Sequence, residues 1–456
     1  MLLASRPDAS RLWVQRILPW IPAILLILNG LATAWVVFAL YPMEKVIFSD
    51  MSGYDRRAGE IIRGEYSLFH FFQPIGYPLW LALCRWLAGG DWWLVKLTHV
   101  AMVWLSVFLG WRVARRILPP NWALLALALM SLHAQWWALA AFALAETLYT
   151  LLITVLLWST VRWVERPGVL HAAIAGLSFG LAFFVKGSAA FFPIFLGFWC
   201  LAEVVRGRAP LKSTMAHLAV MGFLASTIAV AHGFFALAKI GQFRTAAAVG
   251  ALNFVEGKCP WKDNRDGNFR WFSPLFYQLG EVQRKDWDVS FLNQAYYWRQ
   301  GWQCIKDDPL VLVTSLRYVY YLYAGNRMFP VSEANRKLWG PYEAWIASVI
   351  FPLTMIGLFI ALRRRERPAT VAALLYLSLF AAMWVLKSEL RYRVPFDAIT
   401  MIFASLGAMA VVAGLRAVGS NSGSDAPPQE GARVSDQPKG RTRALGETVM
   451  NERENH

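Results

Sequence analysis

Six ionisable side chains stand out against an otherwise apolar chain. They are Asp50 and Asp55 in FSDMSGYDRRAGEIIRG (Phe48–Gly64), Glu146, Lys186, and Arg391 and Arg393 in KSELRYRVP (Lys387–Pro395). A carboxylate takes a proton from a hydroxyl as that oxygen attacks. Arg and Lys hold a phosphate and stabilise its charge as it leaves. Together these groups fit transfer of a sugar from a lipid-linked sugar phosphate to a hydroxyl acceptor. No glycine fingerprint for a nucleotide occurs in a strand–turn–helix setting, which agrees with a donor taken from the bilayer.

The elements that must position these groups are membrane spans. Of 456 residues, 57% are hydrophobic and 16% charged, with 23 Trp. Runs of about 20 apolar residues cross a hydrocarbon core as helices, and a helix satisfies its own backbone in lipid. The fold expected is all-α and polytopic, with about ten spans: Ile17–Leu40, Trp92–Gly110, Trp122–Ala140, Phe142–Val161, Val169–Val185, Ala189–Val205, Met215–Leu237, Ala344–Leu362, Ala369–Leu386 and Ala398–Leu415. The start MLLASRPDASRLWVQR and Ala32-Thr33-Ala34 resemble a signal peptide, but the apolar run is about twice an h-region. It reads as an uncleaved first span.

The net charge of +16 does not point to nucleic acid, because the basic residues cluster between apolar runs. With a cytoplasmic N-terminus, segments 1–16, 111–121, 162–168, 206–213 and 363–368 lie inside and hold 15 Lys or Arg against three acids. The outside loop 41–91 holds five bases and six acids, the expected asymmetry for this orientation. All six chemical side chains then face one side.

This topology gives a cytoplasmic N-terminus (1–16), a transmembrane core (17–238) with its first outside loop (41–91), an outside lobe (239–341), further spans (342–416) and a disordered cytoplasmic tail (417–456). The tail is rich in Ser, Gly and Pro and poor in large apolar groups. Ile75–Ala88 and Pro309–Ala324 are apolar but contain Arg85 and Arg317, and they read as helices in the outer interface. A hairpin of two short spans is the alternative. The lobe contains the turn signal DNRDGN (Asp263–Asn268). It also holds Cys259 and Cys304, which an oxidising compartment permits to form a disulfide. Cys84 and Cys200 fall in apolar helices.

Five stretches occur in an order that resembles the GT-C superfamily, which includes lipid A aminoarabinose transferases and protein O-mannosyltransferases. They are SDMSGYDRRAGEIIRG, QPIGYPLW (Gln73–Trp80), AETLYT (Ala145–Thr150), GLAFFVKG (Gly180–Gly187) and SELRYRVPFDAI (Ser388–Ile399). The resemblance covers roughly residues 10–416. It implies an integral membrane enzyme of the bacterial inner membrane whose site faces the periplasm. Its donor is a polyprenyl-phosphate sugar, its acceptor a glycan, lipid or protein hydroxyl, and transfer inverts the anomeric centre. By position, Asp50 matches the family's proposed base and Tyr54 the tyrosine four residues on. Several members carry a second acid where this chain has Met51, so Asp55 stays open as the base. Lys186, Arg391 and Arg393 match basic residues placed near donor phosphate, and Glu146, Tyr54 and Tyr392 are expected to contact substrate.

Each residue also has a plainer reading. Asp55 with Arg56, Arg57 and Glu60 fits a solvated helix face. Glu146 fits a structural pair with a buried histidine or arginine, and Lys186 a snorkelling lysine. Arg391 and Arg393, two apart, point to opposite sides if extended. Gly250–Lys258 reads as a loop whose Asn253 and Glu256 bond sugar hydroxyls, or as a simple turn. His70, His99, His133 and His232 lack metal-ligand spacing, so no metal or other cofactor is expected. Rival functions are a transporter or flippase for a lipid-linked sugar, and a polysaccharide polymerase or ligase using a diphosphate carrier.

Overall fold

The computed structural model describes residues 18–45, 47, 50–247, 249–259, 294–324 and 340–421. Every regular element among them is helical. Among the described residues, nine helical stretches are long and apolar enough to cross a membrane: Ile21–Lys45, Trp93–Ile117, Pro120–Ala140, Ala145–Glu165, Gly187–Val205, Leu211–Ile240, Gly340–Arg364, Arg367–Val385 and Val394–Ala417. Val169–Val185, with 17 residues, is a shorter apolar helix. At 1.5 Å per residue it is about 25 Å long.

In chain order the helices used below are α1 (Ile21–Trp35), α2 (Asp50–Ile62), α3 (Gly76–Leu87), α4 (Trp93–Ile117), α5 (Pro120–Ser131) and α6 (Ala134–Ala140). These are followed by α7 (Ala145–Glu165), α8 (Val169–Val185), α9 (Phe192–Val205), α10 (Leu211–Ile240) and α11 (Val249–Lys258). The remainder are α12 (Gln294–Asp307), α13 (Val311–Thr314), α14 (Arg317–Ala324), α15 (Phe351–Arg364), α16 (Arg367–Val385) and α17 (Asp397–Asn421).

Each of the ten expected spans is helical, nine of them at membrane-crossing length, and several outrun their apolar window. α4 continues to Arg115 and Arg116, and α15 to Arg363 and Arg364. A cation in the last turn is favoured by the helix dipole, so charge there does not end the helix. The third span breaks into α5 and α6 at Leu132–His133. Its cause is the His133 side chain, which is turned to Asp397 (2.7 Å) and Tyr342 (3.3 Å). α15 and α17 touch backbone to backbone. A Cβ on Gly357 meets Phe403 O at 1.9 Å, and one on Gly407 meets Leu353 O at 2.0 Å. Small residues allow this approach between spans.

The bundle has two chemically different ends. At one, Glu165 pairs with Arg116 (3.7 Å) and Arg162 (3.3 Å). There too Glu203 gathers Arg206 (3.6 Å), Arg208 (3.5 Å) and Arg367 (3.4 Å). At the other end lie the start of α7, the end of α8 and the α16–α17 connection.

Ile75–Ala88 forms α3, which packs on α2 and leaves Leu83, Trp86 and Leu87 exposed. Pro309–Ala324 is two short helices rather than one. The break falls at Ser315, whose Oγ donates to Val311 O (2.6 Å) and Gly257 O (3.3 Å). Gly250–Lys258 is a correction: it lies in the helix α11, not a loop. Its glycines resemble turn residues, but Gly257 admits a neighbouring backbone instead. α11 and α12 are joined by a Cys259–Cys304 disulfide with Cα atoms 5.3 Å apart. Cys84 and Cys200 are buried free thiols. Asp263–Asn268 and residues 1–16 lie outside the described residues. α17 runs to Asn421, beyond the start expected for the tail, and 422–456 lie outside the described residues. Contacts divide the chain into a unit ending at Val411 and a second from Val412, whose described part is the end of α17.

Candidate active site at the acidic end of the bundle

Helix geometry separates the two aspartates. α2 begins at Asp50, where the partial positive charge of a helix N-terminus favours a carboxylate. Tyr54 and Arg57 follow on the same face, four and seven residues on. Asp55 lies on another face and bonds Arg85 of α3. Asp50 instead accepts from Arg391, Nη1 to Oδ2 2.7 Å, across 341 residues of sequence.

Arg391 and Arg393 also diverge. After α16 the chain forms short 3-10 turns at Leu390–Tyr392 and Val394–Phe396. Residues two apart on such a turn point in different directions. Arg391 meets Asp50, donates from Nε to Glu389 Oε2 (2.7 Å), and lies 3.7 Å from Glu146 Oε1. Arg393 has no exposed surface. It is held by Asp397 (2.9 Å), by Gln135 and by Leu322 O (3.3 Å), and so lies in a separate buried network with His133.

α7 and α8 are antiparallel neighbours, which puts the first turn of one beside the last of the other. Glu146 at the N-terminus of α7 and Lys186 just past α8 both suit their helix dipoles. They meet at 2.7 Å. Lys186 Nζ also sits 4.2 Å from the Tyr392 ring centroid, a cation–π contact. Three acids, Asp50, Glu146 and Glu389, thus surround two cations, Lys186 and Arg391. The site is not sealed: side-chain exposure is 12% for Asp50, 17% for Lys186 and 22% for Glu389.

Burial opposes the charge on Arg391, but Glu389, Glu146 and Asp50 together hold its guanidinium well above the usual value. Burial likewise opposes the charge on Glu389, yet Arg391, Lys387 and Lys186 hold it below the usual carboxylate value. Burial first, then Asp50 and Glu146, push the Tyr54 hydroxyl up, so it stays a neutral donor. Tyr54 packs edge-on against Tyr77 at 5.1 Å. Arg57, fully buried, braces it from 4.9 Å while donating to Gln73 Oε1 (2.6 Å) and Gly53 O (3.1 Å).

Of the expected residues, the structure brings together Asp50, Tyr54, Glu146, Lys186, Arg391 and Tyr392. Asp55 and Arg393 are engaged elsewhere. Glu256 pairs with Lys387, and Asn253 is half-buried on α11. The sequence reading missed Glu389, Lys387, Arg57 and the His133–Asp397–Arg393–Gln135 network. Glu389 and Lys387 were signalled by charge density in the break between two spans, and Asp397 by its i+4 spacing from Arg393. Among the described residues no three His, Cys, Asp or Glu side chains group as metal ligands.

Residues 73–232, about a third of the chain, match the family model for dolichyl-phosphate-mannose-protein mannosyltransferase. No curated protein matches the chain. The apo oligosaccharyltransferase of Archaeoglobus fulgidus superimposes with a TM-score of 0.52 at 15% identity, covering 88% of this chain and 52% of that one. Archaeal oligosaccharyltransferase AglB from Archaeoglobus fulgidus, in complex with an inhibitory peptide and a dolichol-phosphate, gives 0.50 at 14% identity, over 91% and 53%. The chain has the GT-C fold. ArnT from Cupriavidus metallidurans bound to undecaprenyl phosphate superimposes more loosely, with a TM-score of 0.35 at 14% identity, over 89% and 81%. The chain spans about half the length of the oligosaccharyltransferases it matches.

Within this GT-C core a cavity of about 310 Å³ opens between α8, α9 and α10, lined by Ile75, Phe179, Phe183, Phe184, Pro193 and Ile228 among others. Two of its lining residues, Phe183 and Phe184, are on the same helix end that precedes Lys186. The charged cluster itself holds a lysine and an arginine, Lys186 and Arg391. Beside them stands a partly open carboxylate able to accept a proton.

Proposed function

We propose that this chain is an inverting glycosyltransferase that moves a hexosyl or pentosyl group from a polyprenyl-phosphate carrier to an acceptor hydroxyl on a glycan, lipid or protein. The observation that supports the reading is the Asp50–Arg391 contact at 2.7 Å, a carboxylate beside a guanidinium of the kind that binds phosphate. In the resting protein Arg391 is shared among acids. A carrier phosphate competes for its Nη atoms and releases the Asp50 oxygens. In this reading the carrier's apolar chain occupies the largely apolar cavity between α8, α9 and α10.

Chemistry then follows in one displacement. Asp50 accepts the acceptor's proton as the hydroxyl oxygen attacks the anomeric carbon from the face opposite the phosphate. The bond from that carbon to the phosphate oxygen breaks, and its electron pair leaves on the phosphate. Arg391 and Lys186 stabilise the added charge, with Glu146 orienting the lysine. Configuration inverts. Tyr54, a neutral donor, and Tyr392, stacked under the lysine, face the sugar.

The reading places the site on the outer face of a bacterial inner membrane, with both termini cytoplasmic. Two observations support that side. The Cys259–Cys304 bridge is at the same end as the cluster, since its helix carries Glu256 to Lys387, and disulfides persist in oxidising compartments. The arginine-rich end built around Glu165 and Glu203 is the opposite one, as cytoplasmic loops require. The test is purified protein offered a polyprenyl-monophosphate sugar and, separately, a diphosphate-linked one. Turnover with the monophosphate alone is expected; turnover only with the diphosphate moves the chain to the polymerase or ligase reading.

A further inference from the structure

Four consecutive residues at and just past the end of α11 each grip another part of the chain, three of them around the end of α16 and the fourth on α12. Glu256 pairs with Lys387. Gly257 lies so close to Leu386 that a Cβ there meets Leu386 O at 1.9 Å and its carbonyl carbon at 2.6 Å. Lys258 donates from Nζ to Ser315 Oγ (2.9 Å) and to Trp384 O, with the Trp384 ring 5.7 Å away. Cys259 is bonded to Cys304 of α12. The stretch these residues hold, Trp384–Lys387, ends two residues before Glu389 and four before Arg391.

The C-terminal carbonyls of α16 lack intrahelical partners, and the chain beyond it makes only short turns. Something outside must fix where Arg391 sits. We propose that Glu256–Cys259 is a strap that positions Arg391, locked by the Cys259–Cys304 bridge. This rests on the reading that Arg391 holds the carrier phosphate. Lys258 is the central positioning residue. Its ammonium satisfies the otherwise orphaned Trp384 carbonyl and bonds the Ser315 hydroxyl at the α13–α14 break. Trp384 closes the loop by donating from Nε1 to Leu312 O (2.7 Å). Burial pulls the Lys258 ammonium down to about 8. The bridge is the chain's one disulfide, since the other two of its four cysteines are free thiols, so reduction alters this strap and nothing else covalent.

The experiment uses the full chain in detergent micelles with undecaprenyl phosphate as the binding probe. It also follows amide hydrogen exchange at residues 384–393 and, as an internal control, at 203–208. Wild type is compared with and without dithiothreitol, and with Lys258→Met and Lys258→Arg. Misplacing a binding group by about 1 Å costs on the order of a hundredfold. Reduction and Lys258→Met are therefore each expected to weaken probe binding by about ten- to a hundredfold. Both should speed exchange at 384–393 and leave 203–208 unchanged. Lys258→Arg, which keeps the charge and the donors, should restore most of the affinity. If Lys258→Met does not fold, reduction of the wild type carries the comparison alone. Unchanged affinity and unchanged exchange on reduction overturn the strap. Failure of the oxidised wild type to bind the probe overturns the carrier reading instead, and the two failures are thereby told apart.

Discussion

Arg391→Ala removes the cation that Asp50, Glu146 and Glu389 all face. In the resting protein the guanidinium donates to Asp50 and Glu389 at 2.7 Å each and lies 3.7 Å from Glu146, and its own side chain is 9% exposed. Hydrogen bonds to charged groups contribute about 1.5–3 kcal/mol each. Removing one partner of a buried pair costs about 3–5 kcal/mol, because the remaining charges stay behind. In the reaction, losing one preorganised donor to a developing charge costs about 10²–10³ in kcat. Arg391→Ala should therefore lower kcat/KM by at least about a hundredfold, and weaken carrier phosphate binding too. Arg391→Lys separates charge from shape. An ammonium keeps the charge but cannot reach Asp50 and Glu389 with two fixed donors at once, so an intermediate loss of about tenfold is expected. The assay is release of undecaprenyl phosphate from its sugar-loaded form by detergent-purified protein with an unchanged gel-filtration profile. A folded Arg391→Ala protein whose kcat/KM stays within about twofold of wild type refutes the reasoning.

Asp55→Asn should leave turnover within about threefold of wild type, because Asp55 bonds Arg85 on another face of α2 and a partly exposed pair contributes about 0–1 kcal/mol. The same release assay on Asp55→Asn checks it. Arg393→Met should cost about 3–5 kcal/mol of stability by stranding Asp397 in a site with no exposed surface; thermal unfolding in detergent, and yield, read this out. Acidification is a third lever. Glu389 is held below its ordinary value of 4.5, so its contribution is present above that pH and is lost as pH falls through the folded-state value. Melting temperature should therefore be insensitive to this group from neutral pH down to about 5 and fall below that. Glu389→Gln should flatten that part of the profile.

The spans were legible because a run of apolar residues of membrane length has few other stable destinies, and the positive charges between runs fixed their order. Helix ends were less so: Arg115, Arg116, Arg363 and Arg364 continue their helices past the apolar window. The break at His133 was not legible at all, because its cause is Asp397, 264 residues away. The same limit governs the site. That Asp50 and Arg391 fall on one side followed from counting spans. That Asp55 is taken by Arg85, or Arg393 by Asp397 and Gln135, depends on which helix face meets which neighbour. α11 was misread as a loop because Gly250, Asn253 and Gly257 resemble turn residues in one dimension. In three, Gly257 is small because the Leu386 carbonyl lies against it.

The central claim is that Asp50 takes the acceptor's proton. Asp50→Asn keeps the size of the side chain and an oxygen for Arg391 but cannot accept that proton. Its turnover number with a polyprenyl-monophosphate sugar, measured beside its affinity for the carrier phosphate, tests the claim most directly. The account predicts a fall in kcat of about 10²–10⁴ with carrier binding retained. An Asp50→Asn protein that inserts, folds and turns over at the wild-type rate contradicts it.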